Sequence, residues 1–248
     1  MIAPMTLVIT TLRQRPEHLA PDGALAGAWP RFMTEDPISD LYYADLHRWA
    51  DYALVATDDG AVVARAHSIP FQIVEDLPDA GWDSVVLSGT RPGDADRPDC
   101  TALEVAIKPT RRGEGLSRIM LEALRDNAFR MGHDCLYAPV RPSAKHVEPL
   151  TPMADYAWRT RPDGLPADPW LRVHVRAGGS IVKVAPTSMT IPGTLGQWRA
   201  LRMNWLLVWT RRARQATLAM RAGLLPVMHH GLAGACAYGR RRHGLAWA

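Results

Sequence analysis

Alternation of apolar and polar residues predicts strands in the chain. The clearest alternation covers residues 101–108, where aliphatic side chains occupy every second position. Pro109 ends this run, because proline cannot donate a hydrogen bond to a strand ladder. A stretch rich in β-branched residues at 6–13 predicts an opening strand. Both segments are therefore expected to belong to a sheet.

Turn residues between apolar runs predict two hairpins. Residues 52–57 and 61–68 flank Asp58-Asp59-Gly60, whose residues are suited to positive φ, so we expect these two strands to pair antiparallel. Residues 170–176 and 180–185 flank two consecutive glycines and predict a second hairpin.

Apolar residues recur at helical spacing in two places. Residues 39–50 follow a helix-start signal and are predicted to form a helix. A longer helix is predicted from residue 116 to Gly132, which is a natural C-terminal stop. With a further strand predicted at 135–140, residues 101–140 form a βαβ-like unit of strand, glycine turn, helix and strand.

Composition places the chain among globular proteins. Of its 248 residues, 47% are hydrophobic and 22% are charged, which excludes disordered and collagen-like classes. Three widely spaced cysteines, Cys100, Cys135 and Cys236, provide neither a disulfide framework nor a CxxC site. No leader signal and no apolar stretch of membrane-spanning length is visible. We therefore expect a cytoplasmic protein without a membrane span.

The charged residues are distributed unevenly. All acidic residues lie at or before Asp168, so residues 1–168 carry a net charge of −8. Residues 169–248 carry twelve Lys and Arg residues and no acidic residue, a net charge of +12. This asymmetry calls for a separate explanation of the last third of the chain.

The turn between the strand at 101–108 and the following helix has the character of an anion-binding loop. It reads Arg111-Arg112-Gly113-Glu114-Gly115, and such a turn presents unpaired backbone N–H groups at the positive end of a helix dipole. It matches neither GxxxxGK[ST] nor GxGxxG, since position 118 is Arg. A nucleotide loop of either kind is therefore excluded.

The segment from Thr110 to Gly115 resembles motif A of the GNAT acetyltransferase superfamily, which reads Gln or Arg, two residues, Gly, one residue, then Gly or Ala. The predicted elements from residue 6 to residue 140 also follow the order of that family. The resemblance implies an α/β (α+β) fold. In this fold a mixed, mostly antiparallel sheet is flanked by helices and splayed at its fourth and fifth strands.

The resemblance also implies acetyl-CoA as the acyl donor. No metal is expected, because the adjacent His229 and His230 point in different directions and no acidic residue lies near them in the sequence. The pyrophosphate of acetyl-CoA is expected on the N–H groups of the glycine turn, and its pantetheine beside the preceding strand. The implied cofactor-binding residues are Val105, Ala106, Ile107, Arg112, Gly113, Glu114, Gly115, Leu116 and Ser117.

Two side chains are candidates for proton transfer. An amine with a pKa of about 10.4 is mostly protonated at neutral pH, so its acylation requires a base. Glu104 lies in the strand beside the implied thioester site and is the candidate base, although a solvent-facing strand position is an equal alternative. Tyr156 is the candidate acid, because the family often uses a tyrosine after the fifth strand to protonate the departing thiolate.

The resemblance predicts an acyl-CoA-dependent N-acyltransferase that acts directly on a small-molecule amine, and it allows a homodimer. Two departures from the family's pattern, Thr110 at the first motif position and no Asn after the fifth strand, motivate an alternative: a CoA-binding or interaction module without transferase activity. No nucleic-acid partner is expected, since no alternation of aromatic and basic residues marks such a face.

Residues 199–248 hold nine Arg, no Lys and no acidic residue. They are either a basic helical extension that lies on an anionic surface or the product of translating a GC-rich gene out of frame. We favour the second interpretation, because a selected basic face rarely avoids Lys altogether. We therefore assign residues 1–198 to the acyltransferase domain, and we expect 199–248 to be poorly ordered, without a sustained strand, and dispensable for CoA binding.

Overall fold

A computed structural model describes residues 6–20, 23–92 and 98–192, together with the backbone of 227–229 and 232–239. Short 3₁₀ turns connect several of its elements. The strands and helices in chain order are β1 Leu7–Thr11, α1 Ser39–Tyr43, β2 Ala53–Asp58, β3 Ala61–Phe71, α2 Gly81–Thr90, β4 Asp99–Ile107, α3 Leu116–Arg130, β5 Cys135–Pro139, α4 Met153–Tyr156, α5 Pro169–Arg176, β6 Ser180–Ala185, β7 Thr190–Pro192, β8 Val227–His229 and β9 Leu232–Gly239.

Within the described residues, seven strands form one mixed sheet in the order β1-β2-β3-β4-β5-β9-β6. Neighbouring strands pair antiparallel except β4 and β5, which pair parallel. Helices cover both faces: α3 packs on one, and α1 and α2 pack on the other. The expected mixed, mostly antiparallel α/β fold is confirmed.

The parallel strands separate soon after they begin. β4 and β5 pair at Cys100 with Leu136 and at Thr101 with Tyr137, and no later residue of β4 pairs with β5. Residues 102–107 of β4 pair with β3 on one edge, while their other edge has no described strand beside it. This unpaired edge, called the free part of β4, borders an opening. The predicted splay of the fourth and fifth strands is confirmed, and it positions the candidate site.

A β-bulge lies at the start of this free stretch. His67 pairs with Glu104 and Ser68 pairs with Ala102, so Leu103 is an extra residue on β4. The indole nitrogen of Trp82 on α2 donates to the Leu103 carbonyl at 3.1 Å. A bulge of this kind bends the strand and redirects its side chains.

Most predicted elements match the structure. The hairpin at 52–68, the strand at 101–108, the helix from 116 and the strand at 135–140 are confirmed as β2–β3, β4, α3 and β5. The apolar residues of α3 that set its helical spacing are buried against the sheet: Leu116, Met120, Leu121, Leu124 and Ala128. The predicted helix at 39–50 is shorter, since α1 ends at Tyr43 and a 3₁₀ turn follows at Leu46–Trp49.

The predicted hairpin strand at residues 170–176 is wrong. These residues form α5, whose N-terminus is capped by Asp168: its carboxylate accepts hydrogen bonds from the amides of Trp170 and Leu171. Leu171 and His174 are buried three residues apart, which is a helical spacing. The same residues also alternate, and the cap and Pro169 at the first helical turn favour the helix.

The expectation that residues 199–248 lack a sustained strand is also wrong, because β9 pairs with β5 on one side and β6 on the other. The remainder of that segment, including residues 205–225, lies outside the described residues, as do the predictions made for it. Among the described residues, no helix has the length and apolar character needed to cross a membrane.

Candidate active site

An open cleft of about 1590 Å³ lies where β4 and β5 separate. Its walls come from the free part of β4, the end of β5, the turn before α3, and residues 28–34, which precede α1. Strand divergence therefore brings the glycine turn and the candidate base to one cavity.

The glycine turn has the geometry of an anion cradle. Gly113 and Gly115 adopt φ of +89° and +81°, and a Cβ at either position would meet nothing within 4 Å. Among the described residues, the amides of 113–117 donate no backbone hydrogen bond, and α3 begins directly behind them. Free amides at the positive end of a 15-residue helix, with open space above them, fit a pyrophosphate.

The cofactor-binding residues implied by the resemblance separate into two groups. Those that line the cleft are Val105, Ile107, Arg112, Gly113 and Ser117. Ala106 and Leu116 are buried in the core, at 3% and 1% exposure. Glu114 pairs with Arg111, so its side chain braces the turn. Gly115 contributes its left-handed backbone at the helix start.

Two arginines hold the turn in place. Arg111 forms ion pairs with Glu114 and with Asp58 on β2, at 2.7 and 3.0 Å. Arg112 donates to the carbonyls of Gly27 and Ala28, at 3.3 and 2.8 Å. The turn is thus tied to the sheet through Asp58 and to the start of the cleft wall through Gly27 and Ala28.

Glu104 lies in the cleft, and its side chain is 16% exposed. Its Oε2 accepts a hydrogen bond of 2.8 Å from the indole nitrogen of Trp29, and Tyr43 lines the same cleft. Its Oε1 lies 3.4 Å from Nδ1 of His67 on β3. The carboxylate is therefore held by the Trp29 indole, lies against the His67 ring and lines the cleft.

His67 is buried and lies against the rings of Tyr42 and Tyr43. Neither ring nitrogen has a hydrogen-bond partner among the described residues. Burial lowers the pKa of His67, an effect that the nearby charge of Glu104 opposes. The imidazole of His67 is therefore neutral beside the Glu104 carboxylate.

Tyr156 is not brought to Glu104. Its hydroxyl donates to Oδ2 of Asp168 at 2.9 Å, and its ring lies beneath Lys145, behind the wall of the cleft. Burial and the neighbouring carboxylate of Asp168 raise the pKa of this phenol. The structure therefore places Tyr156 in a structural contact.

Several cleft residues carry no sequence signal that would have identified them. Trp29, Tyr43 and His67 meet Glu104 from separate elements, and Arg141 follows β5 with its guanidinium over the Phe32 ring. The register of β3 on β4 places His67 opposite Glu104, but the bulge that sets this register is not visible in the sequence. No group of three or more His, Cys, Asp or Glu side chains among the described residues is arranged to hold a metal.

Comparison with known proteins agrees with this geometry. The acetyltransferase (GNAT) family matches residues 21–150. The chain is 34% identical over 199 residues to the arginine N-acetyltransferase avaD of Aspergillus versicolor, covering 72% of this chain and 69% of that protein.

Solved structures share the fold at low identity. The loading GNATL domain of CurA from Lyngbya majuscula superposes with a TM-score of 0.57 and 16% identity, over 95% of this chain and 98% of that one. The GNAT-like decarboxylase GphF, solved with isobutyryl-CoA, reaches a TM-score of 0.49 and 18% identity, over 73% of this chain and 89% of that one. At these identities the likeness concerns the fold alone.

Proposed function

This chain belongs to the acetyltransferase (GNAT) family and is an N-acetyltransferase, and on that basis we propose that it transfers an acetyl group from acetyl-CoA directly to a small-molecule amine. No covalent enzyme intermediate is involved. One observation carries the proposal: the anion cradle with its free amides and the carboxylate held by the Trp29 indole both line the same cleft.

The glycine turn binds the donor in this proposal. The amides of residues 113–117 receive the pyrophosphate, and the unpaired edge of β4 at Val105 to Ile107 receives the pantetheine. The thioester supplies an activated acyl group, and a backbone N–H near Ile107 stabilises charge on its carbonyl oxygen. Both binding elements are fixed before the donor arrives, since Arg111 and Arg112 already brace the turn.

Glu104 receives the proton that the amine must lose. Trp29 holds its carboxylate in place, and the neutral His67 behind it brings no competing positive charge. The acceptor amine reaches Glu104 from the cleft side. The departing thiolate takes its proton from solvent or the ammonium product, because Tyr156 is bonded to Asp168.

The cleft lining offers two carboxylates to the amine of an acceptor. Asp40 and Glu104 are the carboxylates among its described lining residues, and a protonated amine is attracted to both. The fungal relative is named for arginine, so basic amino acids and polyamines are the first acceptors to test.

The proposal is tested with Gly113→Asp. The open space above Gly113 accepts the side chain, and aspartate tolerates positive φ better than most residues, so the fold should survive. A carboxylate in the cradle repels the pyrophosphate, and we expect the affinity for CoA to fall about 100-fold or more. Calorimetry measures the affinity, and thiol release with an amine panel measures turnover.

Gly164→Asp is the matched control. Gly164 also has positive φ and open space, but it lies in a loop outside the cleft lining. Unchanged CoA affinity in a folded Gly113→Asp protein would remove the cradle from the proposal. CoA binding by the wild type without turnover on any amine would favour the CoA-binding module instead.

A further inference from the structure

Arg141 presents a guanidinium to the cleft that lacks an anionic partner. It lies two residues after the end of β5, is half-buried, and lines the same cleft as Glu104. Its Nη1 lies 2.7 Å from the Sδ atom of Met33, and its guanidinium carbon lies 5.0 Å from the centre of the Phe32 ring. Among the described residues, no carboxylate forms an ion pair with it.

The partners of Arg141 do not satisfy its hydrogen-bonding capacity. A guanidinium carries five N–H donors, and a thioether sulfur is a weak acceptor. The Phe32 ring attracts the charge from one face but accepts no conventional hydrogen bond. The donors in the plane of the guanidinium are therefore left for a ligand with a matching pair of oxygens, and carboxylates have this geometry.

The other two Lys and Arg side chains of the cleft lining are already engaged. Arg112 donates to the backbone carbonyls of Gly27 and Ala28, at the start of the cleft wall. Lys145 donates to the carbonyls of Glu148 and Pro149, at 2.6 and 3.3 Å. Of these three cations in the described lining, Arg141 is the one without an oxygen acceptor.

Arg141 and Glu104 are held by one short segment. Trp29 bonds Glu104, and Phe32 and Met33, three and four residues later, contact Arg141. The cleft thus presents a carboxylate and a guanidinium along a single wall of a few residues. A small zwitterion, with an amine and a carboxylate in one molecule, complements both charges.

We propose that Arg141 binds the carboxylate of the acceptor, and that the acceptor is an amino acid or a similar zwitterion whose amine is directed to Glu104. This rests on the proposed transfer of an acetyl group to an amine. A carboxylate on the acyl group of the donor is the other source of the same chemistry, and the experiment separates the two.

The test uses amine pairs that differ by the carboxylate alone: L-arginine and agmatine, L-lysine and cadaverine, L-ornithine and putrescine, and L-histidine and histamine. For the preferred pair, we expect wild-type kcat/KM to be about 10- to 100-fold higher for the amino acid. Arg141→Gln should remove that preference, with kcat/KM for the decarboxylated amine and KM for acetyl-CoA unchanged. Arg141→Lys should retain part of this preference, because lysine keeps the positive charge but lacks the paired N–H donors of the guanidinium.

Arg176→Gln is the matched control, since Arg176 is exposed at the end of α5 and lies outside the described lining of the cleft. It should leave the preference intact. Thermal melting and acetyl-CoA binding establish that each variant is folded.

Three results would overturn the inference. In the first, the wild type acetylates amines with no preference for the carboxylate member of any pair, which leaves the transferase proposal standing. In the second, Arg141→Gln reduces both members of a pair equally or raises KM for acetyl-CoA. In the third, the variant changes the ratio of malonyl-CoA to acetyl-CoA use and not the acceptor preference, which assigns the carboxylate to the donor.

Calorimetry separates this inference from the transferase proposal. If no amine is acetylated, Arg141-dependent binding of an amino acid but not of its decarboxylated partner, in the presence of CoA, would support the carboxylate site while transfer fails. Absence of such binding would reject the carboxylate site.

Discussion

Glu104 is held where three ring-bearing side chains converge on one carboxylate. Trp29 donates a hydrogen bond to it, the neutral ring of His67 lies 3.4 Å away, and Tyr43 lines the same cleft. A hydrogen bond to one carboxylate oxygen fixes the orientation of the other, and a base must be oriented toward the proton that it takes. The alternation of the strand allows a solvent-facing Glu104. In the folded protein its neighbours orient the carboxylate as a proton acceptor in the cleft.

We expect Glu104→Gln to lower kcat by about 100-fold or more, the usual contribution of a general base. Glutamine keeps an oxygen that accepts from Trp29, so the geometry and the CoA affinity should be retained. The acid limb of the pH–rate profile should also disappear. Stopped or continuous thiol-release assays across pH measure both effects.

Glu122→Gln is the control for this change. Glu122 pairs with Arg118 on the surface of α3 and lies outside the described cleft lining. Its rate and pH profile should match those of the wild type. An unaltered profile in Glu104→Gln would exclude Glu104 from proton transfer.

At the scale of elements, Asp168 joins three pieces of the chain behind the cleft. Its buried carboxylate caps α5 through the amides of Trp170 and Leu171. It also accepts from the amides of Ser143 and Ala144, in the segment that follows Arg141, and from the Tyr156 hydroxyl. One side chain therefore fixes both the start of a helix and the loop that continues from β5.

We expect Asp168→Ala to lower the free energy of unfolding by about 2–5 kcal/mol, since it removes a helix cap and leaves several buried donors without a partner. Tyr156→Phe removes a single donor and should cost about 1 kcal/mol, with turnover near the wild-type value. Denaturant unfolding and initial rates measure these quantities.

Asp163→Ala provides the comparison, because Asp163 is an exposed loop residue paired with Arg161. Its effect should stay within about 0.5 kcal/mol. A large loss of kcat in a stable Tyr156→Phe protein would restore Tyr156 as the acid that protonates the thiolate.

At the scale of the whole molecule, one buried carboxyl links folding to pH. Asp36, 1% exposed, bonds the amide of Ile38 through Oδ1, while its Oδ2 has no hydrogen-bond partner among the described residues. Burial, together with the charges of Asp83 and Asp40, raises the pKa of Asp36 from 3.8 to about 6. The folded protein therefore holds a proton that the unfolded chain releases near pH 4.

Stability should consequently decrease as pH rises from about 4 to about 6, because in this window the native state binds more protons than the unfolded state. Above pH 6 the free energy of unfolding should be lower than its value below pH 4 by about 3 kcal/mol. Asp36→Asn mimics the protonated form, so its unfolding free energy should lack this decrease and exceed that of the wild type at neutral pH. Chemical unfolding at a series of pH values tests this.

Asp155→Asn, at an exposed position of α4, should follow the wild-type curve. Parallel pH curves for wild type and Asp36→Asn would mean that Asp36 has the same proton affinity in the folded and unfolded states.

The sequence by itself determined the elements whose information is local. The alternation at residues 101–108, the positive-φ glycines at 113 and 115 and the helical spacing from Leu116 each depend on neighbours within a few residues. The glycine turn between a strand and a helix was enough to predict the anion cradle. The mixed sheet and its splay were predicted from the resemblance of residues 110–115 and of the element order to the GNAT family.

Tertiary structure decided the features that depend on distant residues. At residues 170–176 the Asp168 cap is a local signal for the helix, and packing adds the burial of Leu171 and His174 to it. The partners of Glu104, the isolation of Arg141 and the position of Tyr156 depend on residues 12 to more than 100 positions away. β9 enters the sheet between β5 and β6, strands that precede it by about 50 to 100 residues. These features come from packing between residues that are far apart in the sequence. The local sequence is compatible with many arrangements, and burial of the whole core selects one of them.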